Sequence, residues 1–437
     1  MRESEAAARA AENGRRLFLV TADGRMRYLL VDHEGIVLGS GRDVDLRIED
    51  STVSRRHLRL RGVTGCQPDP GGQGGGPLVV EDLGSTNGSV VGLAPLGVRP
   101  RTLSLPALLT LGRTRVAVLP GIEIPGGGVA MRLGELVSAS PRVARTLFQA
   151  LAAAWSPLPV LLQGESGTGK ELLARVIHGA GPLSSGPLVT VNCATLSPER
   201  AEVELFGCRK GAYTGAVADR PGLLATASGG ALFLDEVAEL PLPVQARLLR
   251  VLEGQPFRAV GDHVPRTAQV RIMAASNADL ALRVRQGLFR SDLFFRLHVL
   301  PVRMPPLRER PEDVPLLTVW LGRSLPGCRL TPEGASLLAR YPWPGNVREL
   351  RSVLQRLASL GGGAPAGPDA VLGALEAGAG PAGARCASAG PVTPEPGCST
   401  SQLLRTLGVP RSTYYYRRAR QGLTPAAADG TSPRCAP

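Results

Sequence analysis

The stretch VLLQGESGTGKELLARVIH at residues 160–178 reads as an apolar strand, a glycine-rich turn and a helix in direct succession. That order constrains the fold more than anything else in the chain. The skeleton G-x-x-x-x-G-K runs through Gly164, Glu165, Ser166, Gly167, Thr168, Gly169 and Lys170. It aims successive backbone N–H groups at one point beside a helix N-terminus, and the lysine adds a positive charge there. The phosphate tail of a nucleotide suits such a pocket. After the lysine stands Glu171, where a serine or threonine ligand for Mg2+ is usual.

A second segment completes the chemistry. GGALFLDEV at 229–237 is an apolar strand ending in two carboxylates. Asp235 would lie near a Mg2+ ion, reached through water, and Glu236 would polarise the attacking water. Two acids and a lysine around Mg·ATP are the minimum for hydrolysis. Phosphoryl transfer also spreads negative charge over the γ-phosphate oxygens, which an arginine from a neighbouring molecule stabilises. Arg290 and Arg296 in FRSDLFFRL and Arg348 in PWPGNVREL are candidates, although on sequence alone any one of the 48 arginines is more often a solvated surface residue.

Strand-like runs PVLLQG, PLVTVNC, GGALFLDEV and VRIMAASN alternate with helical patterns from about residue 133 onward, which predicts a parallel α/β sheet. Upstream, residues 16–119 hold short β-like runs separated by turns, the pattern of an all-β sandwich. The segment 64–77 reads as a loop, and PGIEIPGGG at 120–128 as an interdomain linker. Downstream, 361–398 is rich in Gly, Ala and Pro and reads as a linker with a turn or two of helix around Ala370 to Ala377. The last forty residues return to a helical pattern with an excess of arginine.

The net charge of +13 favours polyanionic partners such as nucleic acid. Only Lys170 and Lys210 are lysines, a bias better ascribed to genome composition than to function. Seven scattered cysteines without a CxxC pair point to neither a disulfide framework nor a zinc site. No apolar run reaches the length of a membrane span and the first residues are polar, so the expectation is a cytoplasmic protein with no membrane partner.

The segments GESGTGKE, VNCATL, ELFG, GAYTGA, GGALFLDEV, AASN, FRSDLFFRL, PPLRER and WPGNVREL occur in this order. Together they resemble the AAA+ domain of the bacterial enhancer-binding proteins, the NtrC-like activators of sigma-54 RNA polymerase, over residues 133–360 with a lid at about 306–360. In that family the glutamate after the lysine is normal. The resemblance implies ATP and Mg2+ as cofactors, with Gly164 to Glu171 binding phosphate. Asp235 and Glu236 would serve metal and water, and Asn192 would be the switch partner of Glu236. Asn277 would be the γ-phosphate sensor, Arg290 and Arg296 fingers reaching a neighbour's ATP in a homo-oligomeric ring, and Arg348 the second sensor. The segment Gly211, Ala212, Tyr213, Thr214, Gly215 and Ala216 would be a loop that projects into the ring's pore and engages the sigma-54 holoenzyme, with Tyr213 in place of the family's phenylalanine. Two glycines permit the bend and the ring supplies contact area.

Two flanking resemblances complete the plan: an FHA sandwich, then the AAA+ P-loop ATPase with its α-helical lid, then a small helix-turn-helix. DSTVSRRHLRL followed by VVEDLGSTNGSVV is similar to the forkhead-associated (FHA) domain, covering residues 16–120. By position Ser54 and Arg55 would contact the phosphate of a phosphothreonine-bearing protein or Ser/Thr kinase. Thr86 and Asn87 would hold the peptide backbone, and His57 would be structural. The family's Gly-Arg reads Gly39-Ser40 here, which leaves ordinary docking as the alternative to phosphate reading. TSQLLRTLGVPRSTYYYRRARQGL, within 399–424, resembles a Fis-type helix-turn-helix. There Arg411, Ser412, Thr413, Tyr415 and Arg417 would face the major groove of upstream enhancer DNA. The long helix that normally precedes this motif is missing or replaced by linker in the sequence pattern, so a basic tail without sequence preference is the alternative. The expected function is ATP-driven activation of sigma-54 transcription. A phosphothreonine adaptor with a vestigial ATPase and a generic remodelling ATPase are the competitors.

Overall fold

Residues Leu17, Leu19, Leu109, Leu111, Val116 and Val118 face one hydrophobic core, while their neighbours Phe18, Val20, Leu108, Ala117 and Leu119 face another. A strand sends successive side chains to opposite faces, so a sheet covered on both sides reads as unbroken apolar runs. The computed structural model, which describes residues 15–63, 78–124, 128–212, 218–360 and 364–377, shows what covers each face. The chain divides into two units, Met1–Leu317 and Thr318–Pro437.

The first unit opens with the expected all-β sandwich. One of its sheets runs Leu46–Arg47, Ile36–Gly39, Leu58–Gly62, Leu78–Asp82, Arg101–Leu103. The other has Thr114–Ile124 at its centre. This strand pairs antiparallel with Arg15–Thr21, with Ala107–Leu111 and, through its last four residues, with Gly128–Leu133. Gly128–Leu133 in turn pairs with Leu136–Ser138.

The segment expected as a linker at 120–128 is therefore sheet wherever it is described. Glycine and proline there mimic a hinge, but the strand continues through Ile124 because its ladder partner lies in the hairpin that leads into the ATPase. The run ALLTL is the strand Ala107–Leu111.

The second face of that sheet is covered by the helix Pro141–Ala154, whose Val143, Ala144, Leu147 and Leu151 share a core with Phe18, Val20, Leu119 and Met131. The approach is close at Gly92: a Cβ there would lie 2.5 Å from the Trp155 ring. The helix's far end is capped by Arg271, which donates to Ala154 O at 2.9 Å and Ala153 O at 2.5 Å. A cation on these terminal carbonyls also opposes the negative end of the helix dipole.

Beyond it lies the expected parallel sheet, in the order Leu188–Asn192, Ala231–Asp235, Arg271–Ser276, Val160–Gln163, Leu300–Arg303. The strand preceding Asn277 sits between the phosphate-loop strand and the acidic strand. The phosphate loop, Asn192, Asp235, Glu236 and Asn277 consequently follow strands at one carboxyl edge, where parallel sheets bind ligands.

In the second unit, helices Pro332–Arg340, Asn346–Leu360 and Pro368–Glu376 pack together. Thr331 caps the first by accepting from Gly334 N at 3.2 Å. Trp343 is buried and donates from Nε1 to Leu338 O at 2.9 Å. Within the stretch expected as linker at 361–398, the turn or two of helix expected around Ala370 to Ala377 is the nine-residue helix Pro368–Glu376, whose Val371, Leu372, Ala374 and Leu375 are buried. Its apolar residues recur at helical spacing. The helix-turn-helix residues Arg411, Ser412, Thr413, Tyr415 and Arg417 lie outside the described residues. No helix among the described residues is long and apolar enough to cross a membrane.

Candidate active site

The phosphate loop is shaped by positive backbone torsions at Gly167 (φ 76°) and Gly169 (φ 103°), which a side-chain-bearing residue rarely adopts. Gly169 is the N-cap of Lys170–Ala180. The Thr168 hydroxyl braces the turn by donating to Glu165 O at 2.8 Å. Lys170 is buried to 6% exposure, and its Nζ donates to Gly164 O at 2.9 Å and Glu165 O at 3.2 Å. The same ammonium lies 3.8 Å from Glu236 Oε1. Glu171 is directed elsewhere, accepting from Arg175 one helical turn on at 2.8 Å.

Glu236 has φ 52° and ψ 49°, an uncommon left-handed conformation for a non-glycine residue. Its Oε2 accepts the backbone N–H of Asn277 at 3.1 Å. Asp235 Oδ1 accepts the N–H of Glu236 at 3.1 Å. Asn192 stands in register with Asp235 on the adjacent strand, and its Oδ1 accepts from Ala194 N at 3.0 Å. Below them the Cys193 thiol is pushed up to about 12, first by burial and then by the negative charge of Asp235 and Glu236. A half-buried carboxyl group beside a buried lysine is suited to orienting a water against a phosphate.

Mg2+ takes oxygen ligands, usually one or two carboxylates with waters and substrate phosphates. Asp235 at the strand end is a donor of that kind. Among the described residues no three acidic, histidine or cysteine side chains form a self-sufficient metal cage.

Arg290 and Arg296 are both exposed. Arg290 forms a fork on Asp292 at 3.1 and 2.7 Å, and Arg296 donates to Leu252 O at 3.2 and 3.1 Å. They flank a surface that also shows Phe295 at 72% exposure. Arg348 lies in the second unit, exposed on Asn346–Leu360.

The glycine-alanine loop is described only at its root. Arg209 donates to Asp219 Oδ2 at 2.8 Å and Lys210 N to Asp219 Oδ1 at 2.8 Å, so the two stems are tied together. Ala212 N donates to Arg209 O at 3.1 Å, and Gly211 takes φ 81°. Tyr213, Thr214, Gly215 and Ala216 lie outside the described residues.

At the sandwich rim, Thr86 N donates to Ser54 Oγ at 3.1 Å and Asn87 Nδ2 to Thr52 O at 2.8 Å. Arg55 is exposed beside them. His57 is fully buried, accepts from Ser54 N at 2.9 Å and bonds Gly88 O at 3.1 Å, which fixes both loops. The Ser40 hydroxyl donates inward to Val53 O at 2.7 Å. The segment PPLRER, to which the resemblance gives no role, touches the phosphate loop twice. Arg308 forks onto Glu165 at 2.8 and 2.6 Å, and Arg310 donates to Thr168 O at 2.8 Å.

Fold and site together define an AAA+ P-loop ATPase. Residues 136–303 match the sigma-54 interaction domain, 308–380 the AAA+ ATPase lid domain and 36–112 the FHA domain. The chain belongs to the family of sigma-54-dependent transcriptional activators and carries an FHA domain in addition. The response regulator protein PilR of Pseudomonas aeruginosa is 44% identical over 258 residues, covering 57% of this chain and 58% of PilR. The DNA-binding transcriptional regulator NtrC of Azospirillum brasilense is 47% identical over 231 residues, covering 52% of this chain and 48% of that protein. The chain thus spans about half the length of the curated relatives it matches. The crystal structure of NtrX from Brucella abortus in complex with ADP superposes with a TM-score of 0.52 at 30% identity, covering 66% of this chain and 70% of that one. The lid match extends to residue 380, in keeping with the helix found beyond the expected boundary at 360.

Proposed function

We propose that this protein is an ATP-driven activator of sigma-54 RNA polymerase. Copies of the chain assemble as a ring in which Lys170 binds the phosphates of ATP. Glu236, oriented by Asn277, takes up a proton from the attacking water; Asn192 is the switch partner of Glu236, and Asn277 senses the γ-phosphate. Asp235 would hold Mg2+, which when bound neutralises phosphate charge. Arg290 and Arg296, exposed beside Phe295, reach the nucleotide of the adjoining copy, while Arg348 acts from the lid. The resulting movement drives the loop 211–216, tied at its root by Asp219, against the sigma-54 holoenzyme. The C-terminal segment 399–424 holds the ring on upstream enhancer DNA. The FHA rim around Ser54, Arg55, Thr86 and Asn87 takes a phosphothreonine partner.

The observation that carries this reading is the convergence of Lys170, Glu236 and Asn277 at one sheet edge. It occurs in a chain whose residues 136–303 match the sigma-54 interaction domain. The test is open-complex formation on a sigma-54 promoter with ATP. The full chain should support it, and Thr214→Ala should abolish it while leaving ATP hydrolysis measurable. Undiminished open-complex formation by that variant would overturn the activator reading.

A further inference from the structure

Arg310, exposed to 2%, is buried behind the phosphate loop rather than in front of it. Its Nη2 donates to Thr168 O at 2.8 Å, and its Nη1 lies 3.5 Å from Asp313 Oδ2. The carbonyl and N–H of one trans peptide unit point in opposite directions. Fixing Thr168 O toward Arg310 therefore turns the N–H of Gly169 to the loop's other side, where phosphates bind. A second arginine, Arg308, also grips the loop, but its fork on Glu165 lies at the surface, with side-chain exposures of 46% and 40%. Exposed pairs contribute little. Breaking the buried pair leaves an uncompensated charge, which is costly.

Asp313 is fully buried and holds more than the arginine. It accepts from Ser138 Oγ at 2.7 Å and from Ala139 N at 2.8 Å. Ser138 ends the hairpin strand whose sheet is continuous with the FHA sandwich. A single carboxylate thus joins the last strand of that sheet to the guanidinium that sets the loop.

The geometry points to Arg310 as a positioning residue for the nucleotide and to Asp313 as the joint through which the FHA-linked hairpin sets the phosphate loop. This rests on the ATPase reading above and assigns regulation of that same site. Nothing in the pair touches ATP; both act through the Thr168–Gly169 peptide.

The test uses the full chain with Arg310→Met, Arg310→Lys and Ser138→Ala. It measures affinity for a fluorescent ATP analogue, steady-state KM and kcat for ATP, and the thermal midpoint. Losing a charge-assisted hydrogen bond predicts that Arg310→Met weakens nucleotide affinity and raises KM about tenfold or more, with kcat less affected. Arg310→Lys keeps the charge without the fork and should recover part of the loss. Ser138→Ala should shift affinity a few-fold in the same direction with little change in midpoint. Should Arg310→Met fail to fold, the other two variants still decide. Wild-type affinity and KM in folded Arg310→Lys and Ser138→Ala would show the cluster to be a structural tie alone and overturn the inference. If instead the unaltered chain fails to bind nucleotide, the ATPase reading falls first and this inference with it.

Discussion

The carboxylate of Glu236 is held by the backbone N–H of Asn277 at 3.1 Å, across two adjacent parallel strands. A side chain fixed by a neighbouring strand does not swing with its own loop. Together with the left-handed backbone at Glu236, this keeps the acid aimed at Lys170. Strain of this kind, about 1–3 kcal/mol, persists only where surrounding contacts enforce it, and it clusters at functional sites.

Glu236→Gln retains the acceptor for Asn277 and removes the charge. It should lower kcat for ATP by about 10²–10⁴, the usual contribution of a general base, while nucleotide still binds. Single-turnover hydrolysis alongside a nucleotide titration checks this, and equal loss of binding and turnover would mean the residue serves affinity instead.

The FHA rim should prefer a phosphothreonine peptide over its unmodified form, with Arg55→Ala weakening the modified peptide about tenfold or more. Calorimetric titration of both peptides measures it. Equal affinities would assign the rim to ordinary docking, consistent with the inward-facing hydroxyl of Ser40.

Gly92→Ala and Gly134→Ala form a matched pair for the junction between the sandwich and the ATPase. Both positions have positive φ, 63° and 62°, but the added methyl meets the Trp155 ring at 2.5 Å in the first and nothing within 4 Å in the second. Gly134→Ala should cost about 1 kcal/mol from backbone strain. Gly92→Ala should cost that plus about 1–3 kcal/mol of overpacking. Denaturant midpoints compare them, and equal losses would argue against a packed junction.

Asp82 supports the turn that carries Thr86 and Asn87. Partial burial works to raise its pKa, but hydrogen bonds from the Ser89 hydroxyl and the Ser85 N–H and hydroxyl, aided by His57, outweigh it and hold the carboxyl below its usual range. A depressed carboxylate contributes stability that is present above its unfolded pKa, about 3.9, and lost as pH falls through the folded value. Asp82→Asn should therefore be less stable than wild type near pH 7, and the gap should close in the acid range below about pH 4. Chemical denaturation at several pH values follows it, and a gap independent of pH would remove Asp82 from the acid response.

The phosphate loop was legible because strand, glycines, lysine and helix are neighbours along the chain, and local torsions build the anion site directly. The acidic strand end and the alternation of strands with helices were legible for the same reason. The FHA rim was recognisable from paired motifs, and the structure joins them through Ser54, Thr86 and His57. The run Ala107–Leu111 shows no alternation because both of its faces are covered. The glycines at 126–128 suggested a hinge, yet the strand before them is held by a ladder partner that composition does not reveal.

By itself the sequence determined the chemical inventory: a nucleotide loop, two acids and the motifs of an FHA domain, each encoded within a few residues of itself. Tertiary structure alone decided which of them work together. Glu236 meets Asn277 across 41 residues and Arg310 meets Thr168 across 142, and Trp155 closes against Gly92. Contacts that distant depend on strand order and helix docking. These are set by burial of whole faces, and no short window of sequence carries that information.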